Sequence, residues 1–78
     1  MKTEILANLL GFLKEDLGVE ASENTALIGD KILDSLDFMN YITTIEEKYK
    51  IKISDEDILK NQLGVVKNLV EYISSKVE

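Results

Sequence analysis

Apolar residues recur along this chain at helical spacing in three places, separated by stretches of turn chemistry. Leu6, Leu9, Leu10, Leu13 and Leu17 fall at i, i+3, i+4, i+7 and i+11, which predicts a helix from about Glu4 to Leu17 with one apolar stripe. Thr3 is the expected N-cap, Glu4 suits the positive pole of the first turn, and Gly18 is placed to end the helix in the left-handed conformation. Phe38, Tyr41, Ile42, Ile45 and Tyr49 repeat the same spacing and predict a second helix, starting at Asp34 or Ser35 and ending near Tyr49. Lys48, Lys50 and Lys52 gather at its negative pole. A third stripe of Val66, Leu69, Val70, Ile73 and Val77 predicts a last helix over about 65–77, whose N-cap is poor because Gly64 is the only candidate.

Between these lie two connections. Ser54-Asp55-Glu56-Asp57 resembles a capping box and predicts a short helix anchored by Ile58 and Leu59. The preceding Lys50-Ile51-Lys52-Ile53-Ser54 alternates like a strand, but it is short and has no second strand to pair with. Residues 19–34 break the helical pattern with turn-forming residues. Leu27, Ile28, Ile32 and Leu33 are expected to pack this long loop across the helices. The expected fold is all-α: one domain over 1–78, a small antiparallel four-helix bundle of three main helices and one short one, with a long first loop.

Composition then narrows the function. The 78 residues include no Cys, no His and no Arg, since the nine basic residues are all Lys. Thiolate chemistry, the commonest general base and the bidentate phosphate fork are therefore missing, and nothing points to an enzyme. The net charge of −6 argues against binding nucleic acid or an anionic membrane and favours partners with basic surfaces. No targeting signal or membrane span is visible, so a cytoplasmic protein is expected; a monomer is expected as well. Asp30, Asp34 and Asp37 crowd one region, but their spacing does not match a calcium loop, so no metal site is expected. Tyr41, Tyr49 and Tyr72 lie on or beside the stripes and should be core residues with hydroxyls at the rim.

The informative stretch is Leu33-Asp34-Ser35-Leu36-Asp37, where the long loop meets the second helix. Asp and Ser are preferred N-cap residues, and capping is the commoner use of an isolated Asp-Ser pair. Capping needs only one of the two, however, and Leu33 and Leu36 set the serine beside an apolar surface. Leu36, Met39, Asn40, Thr43, Glu46 and Glu47 follow on a face turned away from the core stripe, mixing apolar and acidic residues as a docking surface would.

Asp34-Ser35-Leu36-Asp37, the downstream Ile45-Glu46-Glu47-Lys48-Tyr49, the run Ile51-Lys52-Ile53-Ser54-Asp55-Glu56-Asp57, and later Val66 and Tyr72-Ile73 together resemble the acyl carrier protein family over nearly the whole chain. The resemblance implies 4′-phosphopantetheine attached to Ser35 by a phosphopantetheinyl transferase using magnesium, with Asp34 helping to hold that metal. It also implies that Asp34, Leu36, Asp37, Met39, Glu46 and Glu47 are read by the transferase and by acyl-loading and acyl-processing enzymes. The function so implied is the carriage of acyl or aminoacyl thioesters, as in fatty-acid or related lipid or polyketide biosynthesis. Leu33 stands where most family members carry Gly, Asn40 where many carry an acid, Thr43 where many carry an apolar residue, and Ser54 in place of the usual Pro. These departures bear on partner choice and leave the attachment serine in place. The competing reading is an unmodified acidic interaction module in which Ser35 only caps a helix.

Overall fold

Four helices follow the three stripes and the capping sequence in a computed structural model that describes residues 2–77. They are α1 (Lys2–Leu17), α2 (Ser35–Tyr49), α3 (Asp55–Lys60) and α4 (Val66–Val77). Among the described residues there is no strand, only an isolated antiparallel bridge between Ala26 and Val65. The alternating residues 51–54 are irregular.

The stripes meet in one core. Ile5, Leu9 and Leu13 from α1, Phe38, Tyr41, Ile42 and Ile45 from α2, and Val66, Leu69, Val70 and Ile73 from α4 are buried, together with Leu27, Leu33, Ile53 and Leu63 from the connections. α1 packs chiefly against α4 and also against α2. Its buried line runs through Ile5 rather than Leu6 and Leu10, which are only partly buried. Gly18 ends α1 with φ 66°, its N–H reaching the Lys14 carbonyl at 3.1 Å while the Val19 N–H reaches Leu13 at 2.9 Å. Thr3 does not cap α1, because the helix already begins at Lys2 and Thr3 lies inside its first turn.

The weak N-terminus of α4 is completed from a distance. The backbone carbonyls of Thr25 and Glu23 accept from the Val66 and Lys67 N–H groups at 3.1 and 2.8 Å, and the Leu27 N–H bonds the Gly64 carbonyl at 2.7 Å. The loop before α2 thus supplies the acceptors that no local side chain offers. It is held by Leu27 and Leu33, which are buried, whereas Ile28 and Ile32 are exposed and do not serve as anchors. The Leu27 carbonyl accepts from both the Ile32 and Leu33 N–H groups, closing the turn that brings the chain to α2.

The three tyrosines differ. The Tyr49 hydroxyl accepts from Asn8 Nδ2 at 2.9 Å, and the Tyr72 hydroxyl donates to Asp57 Oδ2 at 2.6 Å. Tyr41 departs from the expectation of a hydroxyl at the rim: its oxygen is buried without a hydrogen-bond partner among the described residues. Burial, and secondarily Tyr49, push that hydroxyl far above the ordinary tyrosine range.

The Tyr72–Asp57 bond ties α3, which has no buried residue of its own, to α4. Burial, then the hydrogen bond and charge of Asp57, then the charge of Glu46 raise the Tyr72 hydroxyl from 10.0 to about 12. The folded protein therefore holds this proton more tightly than the unfolded chain does. The resulting stability is present below pH 10 and is lost as pH rises through about 12. Urea midpoints compared at about pH 9 and about pH 11 should fall for the wild type and fall less steeply for Tyr72→Phe.

Candidate attachment site at the start of the second helix

The local geometry divides the Asp34-Ser35 pair. Asp34 has extended backbone, φ −82° and ψ 177°, and its Oδ1 accepts from the Asp37 N–H at 2.8 Å. Asp34 is therefore the N-cap, and its carbonyl accepts the first helical bond from the Phe38 N–H at 2.9 Å. Ser35 is the first helical residue. It is exposed, and its hydroxyl makes no hydrogen bond among the described residues. The N–H groups of Ser35 and Leu36 stay free of intrahelical partners, as the first N–H groups of a helix do, at the positive pole where an anion is favoured.

Beside Ser35 runs an open groove of about 480 Å³ between α2 and α3. Phe38 and Met39 line it from α2, Asp55, Ile58 and Leu59 from α3, and Ile28 and Gly64 from the flanking loops. Phe38 forms its inner wall, being buried and in tilted ring contact with Tyr41 at 6.5 Å between centroids. Ile58 is half-buried as an anchor of α3 should be. Leu59 is not an anchor, contrary to the expectation from the sequence: it is 80% exposed. A helix of six residues offers the core only about one inward position, and Ile58 takes it.

The residues singled out by the sequence fall into two groups. Asp34, Ser35, Leu36, Asp37 and Met39 come together at the N-terminal end of α2, with Leu36 71% and Met39 41% exposed. Glu46 and Glu47 lie at the other end, about 17 Å along the helix axis. Glu47 is exposed, but Glu46 is half-buried and accepts from the Ile53 N–H through Oε2 at 2.8 Å. That bond pins the segment leading into α3. The hydroxyls of Thr43 and Thr44 donate to the Met39 and Asn40 carbonyls at 2.9 and 3.1 Å, so they are spent on their own helix. Glu46→Ala is expected to cost about 1–3 kcal/mol by leaving the Ile53 N–H without its acceptor, read as a lower urea midpoint. Glu47→Ala should be close to neutral.

A family model described as a phosphopantetheine attachment site matches residues 3–73. The chain belongs to the acyl carrier protein family. Among its relatives, an acyl carrier protein of Chlamydia caviae is 42% identical over 80% of this chain and 82% of its own length. One of Thermotoga maritima is 32% identical over 97% of this chain and 95% of its own. A meromycolate extension acyl carrier protein of Mycolicibacterium aurum is 36% identical over 96% and 78%. The solution structure of a chain described as an acyl carrier protein from Anaplasma phagocytophilum superposes with a TM-score of 0.71 at 37% identity, covering 99% of this chain and 88% of that one. As a member of this family the chain is a carrier and not a catalyst. It works through covalently attached 4′-phosphopantetheine in fatty-acid or related biosynthesis, and it serves a phosphopantetheinyl transferase and biosynthetic enzymes. Among the described residues no helix is long and apolar enough to cross a membrane.

Two features of the site were not legible in the sequence. The side chain of Glu46 is committed to the fold, which no spacing rule signals. The exposure of Leu59 and Ile28 beside Ser35 depends on how α3 and the long loop are set down, which periodicity in so short a segment does not determine.

Proposed function

We propose that Ser35 is the residue that carries the 4′-phosphopantetheine arm, and that the chain acts as a monomeric cytoplasmic carrier docking on basic enzyme surfaces around that serine. The observation that carries this reading is the division of labour at the helix start. Asp34 alone caps α2, so the Ser35 hydroxyl is not needed by the fold and stands exposed for transfer.

The surroundings fit the group. The free N–H groups of Ser35 and Leu36 can receive the phosphodiester, and the helix dipole favours its charge. The open apolar groove beside Ser35 offers the arm and its cargo a surface to lie against. When bound, the arm supplies the thiol on which an acyl group is carried as a thioester, chemistry that a chain without cysteine cannot offer. Asp34 caps through Oδ1, and its Oδ2 has no partner among the described residues, which suits a role in holding the transferase's magnesium. Asp37, Leu36 and Met39 surround the serine as partner-recognition residues. Glu47 is available for the same purpose at the far end of α2, and Glu46 only through the oxygen that Ile53 leaves unused.

Incubation of the full chain with coenzyme A, magnesium and a phosphopantetheinyl transferase, followed by intact-mass measurement and fragmentation, tests the reading. One arm's mass located on Ser35 is expected. An arm mapped to another residue, or a chain that stays bare with several transferases, would overturn it.

A further inference from the structure

The Ser35 hydroxyl makes no hydrogen bond among the described residues, so its place is set by the backbone on either side. That backbone is anchored at two points. Leu33 is 5% exposed and Phe38 is 4% exposed, while Asp34, Ser35 and Leu36 between them are exposed. With Asp34 as the N-cap, Leu33 is N′ and Phe38 is N4. Those are the two positions a hydrophobic staple joins to fix the angle at which a chain enters its helix. Both belong to the one buried cluster. Leu33 is also held from behind. Its N–H and that of Ile32 both bond the Leu27 carbonyl at 3.0 Å, and the Leu27 N–H bonds the Gly64 carbonyl at 2.7 Å. Lys31 adopts a left-handed backbone in this turn, φ 58°, a conformation unfavourable for lysine. Buried side chains and short backbone bonds thus run from the start of α4, through the fully buried Leu27, to the residue before the cap.

Building on the reading that Ser35 carries the arm, we propose that Leu33 is a positioning residue for arm transfer. Stapled with Phe38, it holds the start of α2 so that Ser35 Oγ is presented in one place. In the transfer, Ser35 Oγ bonds the phosphorus that bears the pantetheine, and the pyrophosphate P–O bond of coenzyme A breaks. Adenosine 3′,5′-bisphosphate leaves with that bond's electron pair, and the serine proton passes to a base of the transferase or to water. Such a displacement needs the nucleophile close and in line, and a misplacement of about 1 Å can cost about a hundredfold in rate. Helix ends fray first, and the side-chain cap ties down only the Asp37 N–H. The staple removes the freedom that remains. Because Leu33 is buried, it acts without being part of the surface that the transferase meets. Its signature is therefore in kcat and not in KM.

The test is steady-state arm transfer from coenzyme A to full-length apo chains by a phosphopantetheinyl transferase, comparing wild type with Leu33→Ala, Leu33→Met and Val70→Ala. Val70 on α4 is buried to a similar degree, at 6% exposed, and does not line the groove beside Ser35. Rates are referred to the folded fraction, taken from urea titrations. Leu33→Ala is expected to lower kcat about tenfold with KM within about twofold of wild type. Leu33→Met keeps the volume and should stay within about twofold in both, and Val70→Ala should keep the wild-type kcat. Amide exchange gives a readout that needs no transferase. In Leu33→Ala the Asp37 and Phe38 N–H groups, both bonded to Asp34, should exchange at least about tenfold faster relative to the Ile45 N–H of the same helix. If Leu33→Ala does not fold, Leu33→Val is judged on the same criteria at about threefold. An unchanged kcat in the Leu33 variants, an equal loss in Val70→Ala, or a rise in KM alone overturns the positioning proposal and leaves the Ser35 reading standing. A wild-type chain that takes up no arm overturns the Ser35 reading, and the positioning proposal with it.

Discussion

Ser35→Ala is expected to abolish arm attachment completely while leaving the unfolding midpoint almost unchanged. The two halves of that expectation come from the same geometry. The residue that closes the first turn of α2 is Asp34, through its 2.8 Å bond to the Asp37 N–H, so removing the serine hydroxyl takes nothing from the helix. An exposed substitution of this kind stays within about 0.5 kcal/mol. Asp34→Ala should do the reverse to stability, costing about 0.5–2 kcal/mol as a lost cap, or several degrees in the midpoint of a domain this small. Asp34→Asn separates the two roles of the carboxylate. Asparagine caps about as well as aspartate but brings no charge for magnesium. It should therefore hold the midpoint and slow arm transfer, seen by intact mass against time. Should Ser35→Ala unfold the chain, or Asp34→Ala leave its stability untouched, capping would have been assigned to the wrong residue and the argument that frees Ser35 would fail.

How much of this was legible in the sequence depends on how far each feature reaches along the chain. The three long helices follow from the 3.6-residue recurrence of Leu9 and Leu13, of Phe38, Ile42 and Ile45, and of Leu69 and Ile73, all of them buried. Ser54 as the cap of α3, accepting from the Asp57 N–H at 3.1 Å, and Gly18 as the stop of α1 are local chemistry and were predictable for that reason. The failures are non-local. Gly64 is a poor N-cap, yet α4 starts cleanly because Glu23 and Thr25, some forty residues earlier, lend their carbonyls. Leu59 has the composition of an anchor and the position of a surface residue, since only the placement of α3 decides which of Ile58 and Leu59 faces inward. Glu46 reads as a solvated face until the Ile53 N–H is seen to need an acceptor. The Asp-Ser motif drew attention to Ser35, but the sequence left open which of Asp34 and Ser35 caps the helix. The side-chain bond of Asp34 to the Asp37 N–H assigns the cap to Asp34.

The same substitution at two leucines should have opposite outcomes. Leu9 is fully buried in the α1 stripe, among the side chains that α1 packs against α4 and α2. Leu9→Ala is expected to cost about 2–5 kcal/mol, the lost transfer energy plus the cavity left behind. A domain of this length holds only about 4–12 kcal/mol in total. The loss should shift the urea midpoint by about 2 M or more, given a slope near 1 kcal/mol per M for so small a protein. Leu59→Ala, at 80% exposure, should leave the midpoint where it is, within about 0.5 kcal/mol. Urea titrations of the two variants side by side check both expectations. A midpoint lowered by Leu59→Ala to anything like the Leu9 value would mean that Leu59 packs inward in solution and the groove beside Ser35 is closed. A neutral result leaves a large apolar side chain that the fold does not use, next to the serine proposed to carry the arm, and this is the condition under which its role has to be sought in binding.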